Sequence, residues 1–347
     1  MARRFVLDAP PAAETLIVSS SRGAADDLAR EIARTRGATF GLYRFSLTQL
    51  AARLAAPRLA RARLSPTTAL GVQAVAARAL FDAERDGSLD YFAPVAGMPG
   101  FPRALARTLE ELALALVAPA RVRGAIDVGA DLADLFERFD AQFQSAAAVD
   151  RAAFLGAATE AAADRAPGAH PYASCRLVLL DVAIANAVEC AFVDALVART
   201  ADACVTVPDG DTPAERAFSP RAPIESLDHE GAAGLDRLRS QLFATTAPPP
   251  ADPLEEVELF SAPGEGRESV EIARRVLREA RRGVPFDRIA IALRAPQHYA
   301  GLLEHALDRA GVPVYFDRGT RRPHPAGRAF LALIACALDR LSASRFA

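Results

Sequence analysis

Apolar residues in this chain change period several times, and each change marks an element. Thr15–Ser19 (TLIVS) is an unbroken run of strand length. Ala24–Arg36 then turns helical, with Leu28 and Ile32 on one face and Gly37 where a helix end favours glycine. Gly41–Phe45 reads as a second short strand. Ser46 and Gln49 have the spacing of a capping box opening a helix through Leu54. From residue 51 to residue 170 no strand signal interrupts the helical period. Helices are expected at Thr68–Asp86, Phe101–Ala118, Asp131–Ala147 and Arg151–Arg165, with breaks at Gly87–Asp90 and Pro94–Gly100. Arg176–Asp181 (RLVLLD) is the next strand, Ala187–Thr200 a helix, and Ala203–Val207 a strand running into PDGD (Pro208–Asp211).

Thr212–Glu230 is polar and proline-bearing, with weak structure expected. Leu235–Phe243 is a short helix, and Ala244–Pro253 (ATTAPPPADP) is the plainest linker. Beyond it the alternation returns. Val257, Leu259 and Phe260 suggest a strand. Val270, Ala273, Val276, Leu277 and Ala280 mark an amphipathic helix ending near Gly283. Arg288–Leu293 (RIAIAL) is an apolar run typical of a strand covered on both faces. Tyr299, Leu302, Leu303, Ala306, Leu307 and Ala310 mark another helix, closed by Gly311, and Val312–Phe316 a further strand. Helices of this length between strands favour parallel crossovers, so the segment predicts βαβαβ. His324-Pro325 opens a last helix whose apolar face is Phe330, Leu331, Ile334, Leu338 and Leu341.

The pattern predicts an α/β fold with a parallel sheet and a large all-helical insertion. Its divisions are residues 1–50 with 171–246, the insertion 51–170, a linker 247–254, and a second α/β region 255–347.

Length allows two or three domains. No apolar run reaches the roughly 18 residues of a membrane span, and the amino-terminal stretch MARRFVLDAPPAAE lacks the apolar core of a signal peptide. Cys175, Cys190, Cys204 and Cys336 show no CxxC spacing and read as buried free thiols of a cytoplasmic protein. A net charge of −2 does not announce a nucleic-acid binder, although a local basic face remains open. One absence changes the chemistry: the chain has no lysine, and every basic residue is arginine. A Walker A loop, a Schiff-base enzyme and a (D/E)xK nuclease motif each need a lysine, so none is present in standard form. Five histidines form no HExxH, and His298 and His305, seven apart on one helix, read as solvent-facing. There is no GxSxG, and no Trp for a base-stacking platform.

Strand, short loop and helix at Ser19–Ala25 (SSSRGAA) form the context of a phosphate-binding loop. One reading gives Ser19, Ser20, Ser21, Arg22 and Gly23 a phosphate or DNA-backbone contact. The other is a plain βα turn with serines capping the helix. RLVLLD ends in Asp181, the shape that holds Mg²⁺ in a Walker B strand, but Val182 follows it, with no glutamate there to activate a water. Glu189 lies farther on and reads as solvent-exposed. Arg53, Arg58, Arg61 and Arg63 form a basic run that either meets phosphates or is a solvated face. GEGRES (Gly264–Ser269) resembles a glycine-rich loop before a helix. Arg294 closes the RIAIAL run, either toward a cleft or in a surface ion pair.

Four stretches carry a resemblance: FSAPGEGRESVEIARRVL, FDRIAIALR, LLEHALDRAGVPVYFDRG and HPAGRAFLALI. In this order they resemble the start of the second RecA-like motor domain of UvrD-type helicases and, more closely, AddB-like helicase–nuclease proteins of the PD-(D/E)XK nuclease family. The resemblance implies a P-loop NTPase (RecA-like) fold with a degenerate first site, a helical 1B-type insertion, and a partial second RecA-like domain. It places Glu268 on the nucleotide side of that domain and PDGD near the position that senses nucleotide state, although the usual Gln is missing. It further implies single-stranded or forked DNA and an AddA/UvrD-type subunit as partners, with ATP and Mg²⁺ only where the degenerate site still binds them. A complete domain of this kind has about two more strands, so the nuclease is expected beyond Ala347. Residual ATPase activity and a purely partner-docking scaffold are the alternatives.

Overall fold

The computed structural model describes residues 1–10, 12–125, 127–166, 168, 170–200, 202–227, 233–241, 246, 250, 256–316 and 325–338. It divides into two units, Met1–Gly231 with Asp236–Pro248, and Ala232–Leu235 with Pro249–Ala347. No helix of the described residues is long and apolar enough to cross a membrane.

The first unit begins with α1 (Ala2–Leu7), β1 (Thr15–Ser19), α2 (Arg22–Arg36), β2 (Leu42–Ser46) and α3 (Leu47–Ala62). β3 (Ser65–Pro66), α4 (Ala69–Asp86), α5 (Phe101–Leu114), α6 (Pro119–Val122), α7 (Gly129–Ser145) and β4 (Ala148–Val149) follow. The unit continues with α8 (Arg151–Ala163), β5 (Arg176–Leu180), α9 (Ala187–Val197), β6 (Ala203–Thr206), α10 (Thr212–Phe218) and α11 (Ala233–Gln241), the last straddling the unit boundary. The Ser46 hydroxyl accepts from Gln49 N at 3.3 Å while Gln49 Oε1 accepts from Ser46 N at 3.1 Å, the capping box expected of α3. α1 was not visible as an element in the sequence. Arg36 secures its end, with Nη2 donating to the carbonyls of Val6, Leu7 and Ala9 at 3.0, 2.6 and 2.7 Å.

The main sheet is four-stranded and parallel, in the order β2-β1-β5-β6. Counted within this sheet, that is 2-1-3-4, the order in which flavodoxin-like doubly wound sheets begin. Every residue of β1 is buried because helices cover both faces. Leu16 and Val18 join Leu177 and Leu179 in a core with α3, α8 and α9. Ile17 and Val178 face the other way, into a smaller core with α1 and α2.

Of the expected helical block 51–170, helices α4, α5, α6 and α7 build a core of their own around Leu80, Leu109, Leu135, Phe136 and Phe139, while α3 and α8 pack on the sheet. The block is not wholly helical. Ser65–Pro66 and Ala148–Val149 pair as a two-residue parallel ladder where the chain enters and leaves it. Buried Asp131 fastens the Gly87–Gly100 connection, accepting from Asp90 N at 3.0 Å and Phe92 N at 2.9 Å. A second departure is α10, in the stretch expected to be weakly structured: Asp211 caps it, accepting from Ala214 N at 3.1 Å, and Ala214 and Phe218 are buried. Of the linker Ala244–Pro253, most lies outside the described residues.

The second unit holds α12 (Glu265–Arg281), a single 3-10 turn (Phe286–Arg288), α13 (Pro296–Arg309) and α14 (Pro325–Leu338). The two expected helices form and pack through Ala273, Val276, Leu303 and Leu307. The three expected strands do not: among the described residues the second unit has no ladder. Ile289, Ile291 and Leu293 pack against the helices, with Ala290 and Ala292 exposed between them, so the run is covered on one face and not on both as expected. Side chains explain part of this. Glu258 pairs with Arg275 and Arg278, and Arg275 stacks 3.8 Å over the Phe260 ring, which ties that segment to α12 instead of to a neighbouring strand. Pro313 removes a ladder donor from Val312–Phe316. On α14, Phe330, Leu331 and Ile334 are exposed, so the expected apolar face is open to solvent. His324 and Leu341 lie outside the described residues.

Candidate functional site

The chain leaves β1 through α2 toward β2 on one side, and reaches β5 and β6 on the other. The carboxyl ends of β1 and β5 are therefore a topological switch point, the place where open α/β sheets leave a crevice. Register brings Ser19 beside Leu180 and Ser46, and Leu180 beside Thr206. Two of the sequence candidates, the serine turn and Asp181, meet here.

The turn from β1 to α2 is only Ser20 and Ser21. Ser19 is wholly buried and its hydroxyl donates to the Ser21 carbonyl. Ser20 N donates to Leu180 O at 3.3 Å, tying the turn to β5. The Ser21 hydroxyl accepts from Ala24 N at 3.3 Å and caps α2. The N–H groups of Arg22 and Gly23 in the first helical turn have no acceptor inside the helix, and the helix dipole adds partial positive charge there. The Arg22 charge is drawn back along the helix, 3.8 Å from Asp26, which also meets Arg44 at 3.1 Å. Gly23 does not have a positive φ, and a side chain at its position would meet only the Ser21 hydroxyl at 3.7 Å. Residues of this kind do not fit a nucleotide triphosphate. A Walker A loop has six residues before its lysine, against a two-residue turn without one. What the turn offers is a helix start, two free N–H groups and serine hydroxyls, enough to meet a single phosphate.

Asp181 follows β5 at φ 51 and is exposed. Its backbone N–H donates to Thr206 O at 3.2 Å and Thr206 Oγ1 at 3.1 Å, and Thr206 Oγ1 donates to Asp181 Oδ1 at 2.7 Å. Thr206 gave no signal in the sequence, since its neighbourhood depends on strand order. Asp211 of PDGD serves as the cap of α10.

Glu189 is a correction. It is buried, 6 % exposed, where the sequence suggested solvent. It accepts from Arg151 Nη2 at 2.8 Å and from Ala185 N at 3.0 Å, while its own N–H donates to Asn186 Oδ1 at 2.9 Å. Asn186-x-x-Glu189 has capping spacing, and that was the available signal. Nearby, Asp150 caps α8, accepting from Ala153 N at 2.7 Å. Asp140 is open at the surface, yet desolvation by the surrounding helices, reinforced by the Asp150 charge, pushes its carboxyl up to about 6. Glu110 is raised for the same two reasons, with Arg151 opposing.

The basic run does not form one stripe. Five residues at 100° each leave Arg53 and Arg58 about 140° apart around α3. Arg58 pairs with Glu160 at 2.6 Å, whereas Arg53, Arg61 and Arg63 are exposed and have no ion pair among the described residues; Arg63 ends α3 at φ 55. Glu268 and Arg294 belong to the second unit. Glu268 accepts from the Tyr299 hydroxyl at 2.7 Å, which raises the Tyr299 phenol. Arg294 is exposed, without an ion pair among the described residues. His298 and His305 are exposed; Cys175, Cys204 and Cys336 are buried and Cys190 half-buried.

No model of a known protein family matches the chain, and no curated protein matches it.

Proposed function

We propose that the chain is the helicase-like, non-hydrolysing region of an AddB-type helicase–nuclease. In DNA break repair and recombination it would bind and guide single-stranded or forked DNA beside an AddA/UvrD-type motor subunit. The observation that carries this reading is the β1–α2 turn: a serine-capped helix start at the switch point of a parallel sheet, in a chain without lysine. That arrangement keeps donors suited to one backbone phosphate and lacks the ammonium that catalysis on a triphosphate uses. The α4–α7 block between β2 and β5, and the four ordered motif stretches, support the same reading. The test is fluorescence anisotropy of labelled forked DNA across a salt series, with and without ATP. Salt-steep binding that ignores ATP is expected. Absence of binding at low salt would overturn the reading and leave partner docking as the role.

A second reading, residual ATP hydrolysis, is favoured by one observation only: Asp181 is held at the carboxyl end of β5, next to the serine turn. Hydrolysis abolished by Asp181→Ala would select it.

A further inference from the structure

The helical block and the sheet keep separate cores, and the chain leaves one for the other at a single peptide bond. Ala148 packs against the core of α4–α7, whereas Val149 is buried in the core that the sheet shares with α3, α8 and α9. The ladder of Ser65–Pro66 with Ala148–Val149 thus lies on the border. Each of its strands is preceded by a non-glycine residue in the left-handed region, Arg63 at φ 55 and Ala147 at φ 50. Residues with side chains adopt that region rarely, and such conformations gather at clamps and switch regions. Three carboxylates meet at this border. Asp150 is buried and caps α8, Glu110 comes from α5, which packs on α8, and Asp140 comes from α7, which packs on β4. Desolvation and then the Asp150 charge disfavour the ionised form of both Glu110 and Asp140. Arg151 opposes this at Glu110 alone, and is itself paired with Glu189 of α9 at 2.8 Å. Other acids on the surrounding helices have their own cations: Asp82 of α4 has Arg78, Glu111 has Arg107 and Glu137 has Arg123.

We propose that the ladder is a hinge between the helical block and the sheet, closed while Asp140 and Glu110 carry protons and open once both are ionised. In the closed arrangement the surrounding helices push the Asp140 carboxyl up to about 6. Swinging the block away returns that carboxyl to water and to the ordinary aspartate range, with release of its proton. Opening is therefore favoured above about 6 and suppressed below it. Because Asp140 keeps contact with solvent in the closed form, the ratio of open to closed changes by about tenfold across this window, less than the full shift allows. The device uses neither DNA nor nucleotide, so it stands without the proposed function.

The test is a distance measured in the full chain by pulsed dipolar spectroscopy, with spin labels carried on azido amino acids at exposed Ala74 of α4 and exposed Arg34 of α2. One label then reports the block and the other the sheet, and the native cysteines stay untouched. Two distances are expected at about pH 7.5, with the share of the open one falling about tenfold at about pH 5. Asp140→Asn, a change of nearly equal shape at an exposed position, should lose most of that response, and adding Glu110→Gln should remove the rest. The proposal is overturned by a distance that does not change with pH in the parent, or by a parent-like response in Asp140→Asn.

Discussion

One threonine holds one aspartate across two strands: Thr206 Oγ1 donates to Asp181 Oδ1 at 2.7 Å and accepts from Asp181 N at 3.1 Å. Asp181 occupies a left-handed backbone region that few residues other than glycine adopt, and these bonds fix it there. Thr206→Val should therefore cost about 1 kcal/mol, seen as a lower urea midpoint at unchanged slope. An unmoved midpoint would mean the pair contributes nothing to stability.

Glu189 separates two descriptions of α9. An exposed glutamate changed to alanine shifts stability by roughly 0.5 kcal/mol or less. The buried carboxylate seen here caps the helix start and accepts from Arg151. Glu189→Ala should cost about 2 kcal/mol, and Arg151→Ala should lose part of the same energy, so that the double variant falls short of the sum. Chemical denaturation of the three variants decides this.

Asp140 should make stability depend on pH in an unusual direction. Its folded pKa, about 6, lies above the 3.8 ordinary for an aspartate, so in this window the folded protein keeps a proton that the unfolded chain releases. Its contribution therefore grows as pH falls from neutral through about 6 toward about 4, and the penalty of the ionised form is complete above that window. Asp140→Asn should melt higher than the parent near neutral pH, with the gap closing on acidification. Glu110 titrates in the same direction in both proteins, so the difference between them isolates Asp140. Melting curves that run parallel at all pH values would refute the assignment.

If the chain guides DNA, its arginines should not count equally. Arg53→Ala and Arg61→Ala should each flatten the log–log salt slope by roughly 0.7 to 0.9. Arg58→Ala should do less, because Glu160 already pairs with Arg58 at 2.6 Å. Equal effects from all three would place the DNA path elsewhere.

The sheet core could be read from the chain because β1 and β5 are covered on both faces, which makes their residues continuously apolar. Caps were legible where they follow short spacing rules, as at Ser46 and Gln49. α10 was not, since Pro213 and its polar neighbours look like loop until Asp211 is seen capping them. Glu189 was misplaced because a lone carboxylate on an apolar helix defaults to solvent, and only Arg151, 38 positions away, makes burial tolerable. In the second unit the unbroken apolar run Arg288–Leu293 reads as a strand covered on both faces, whereas only Ile289, Ile291 and Leu293 are covered and Ala290 and Ala292 are exposed; an apolar run carries no information about whether a neighbouring strand lies within bonding distance. The site itself was half legible. Local pattern singled out the serine turn and Asp181, whereas their adjacency is a property of strand order.

The small ladder of Ser65–Pro66 with Ala148–Val149 has a consequence for how the sheet assembles. β1 must find β5 across the whole helical block, a non-local pairing that is slow to form. Once α4–α7 has collapsed on its own core and the ladder has closed, the remaining loose chain between β2 and β5 falls to roughly a third, which lowers the closure cost by about 1 kcal/mol. The gain is small in equilibrium terms and larger in sequence of events. The block can finish first and hand the sheet its two ends side by side, so substitutions in that block should slow folding, whereas those near Thr206 should mainly speed unfolding.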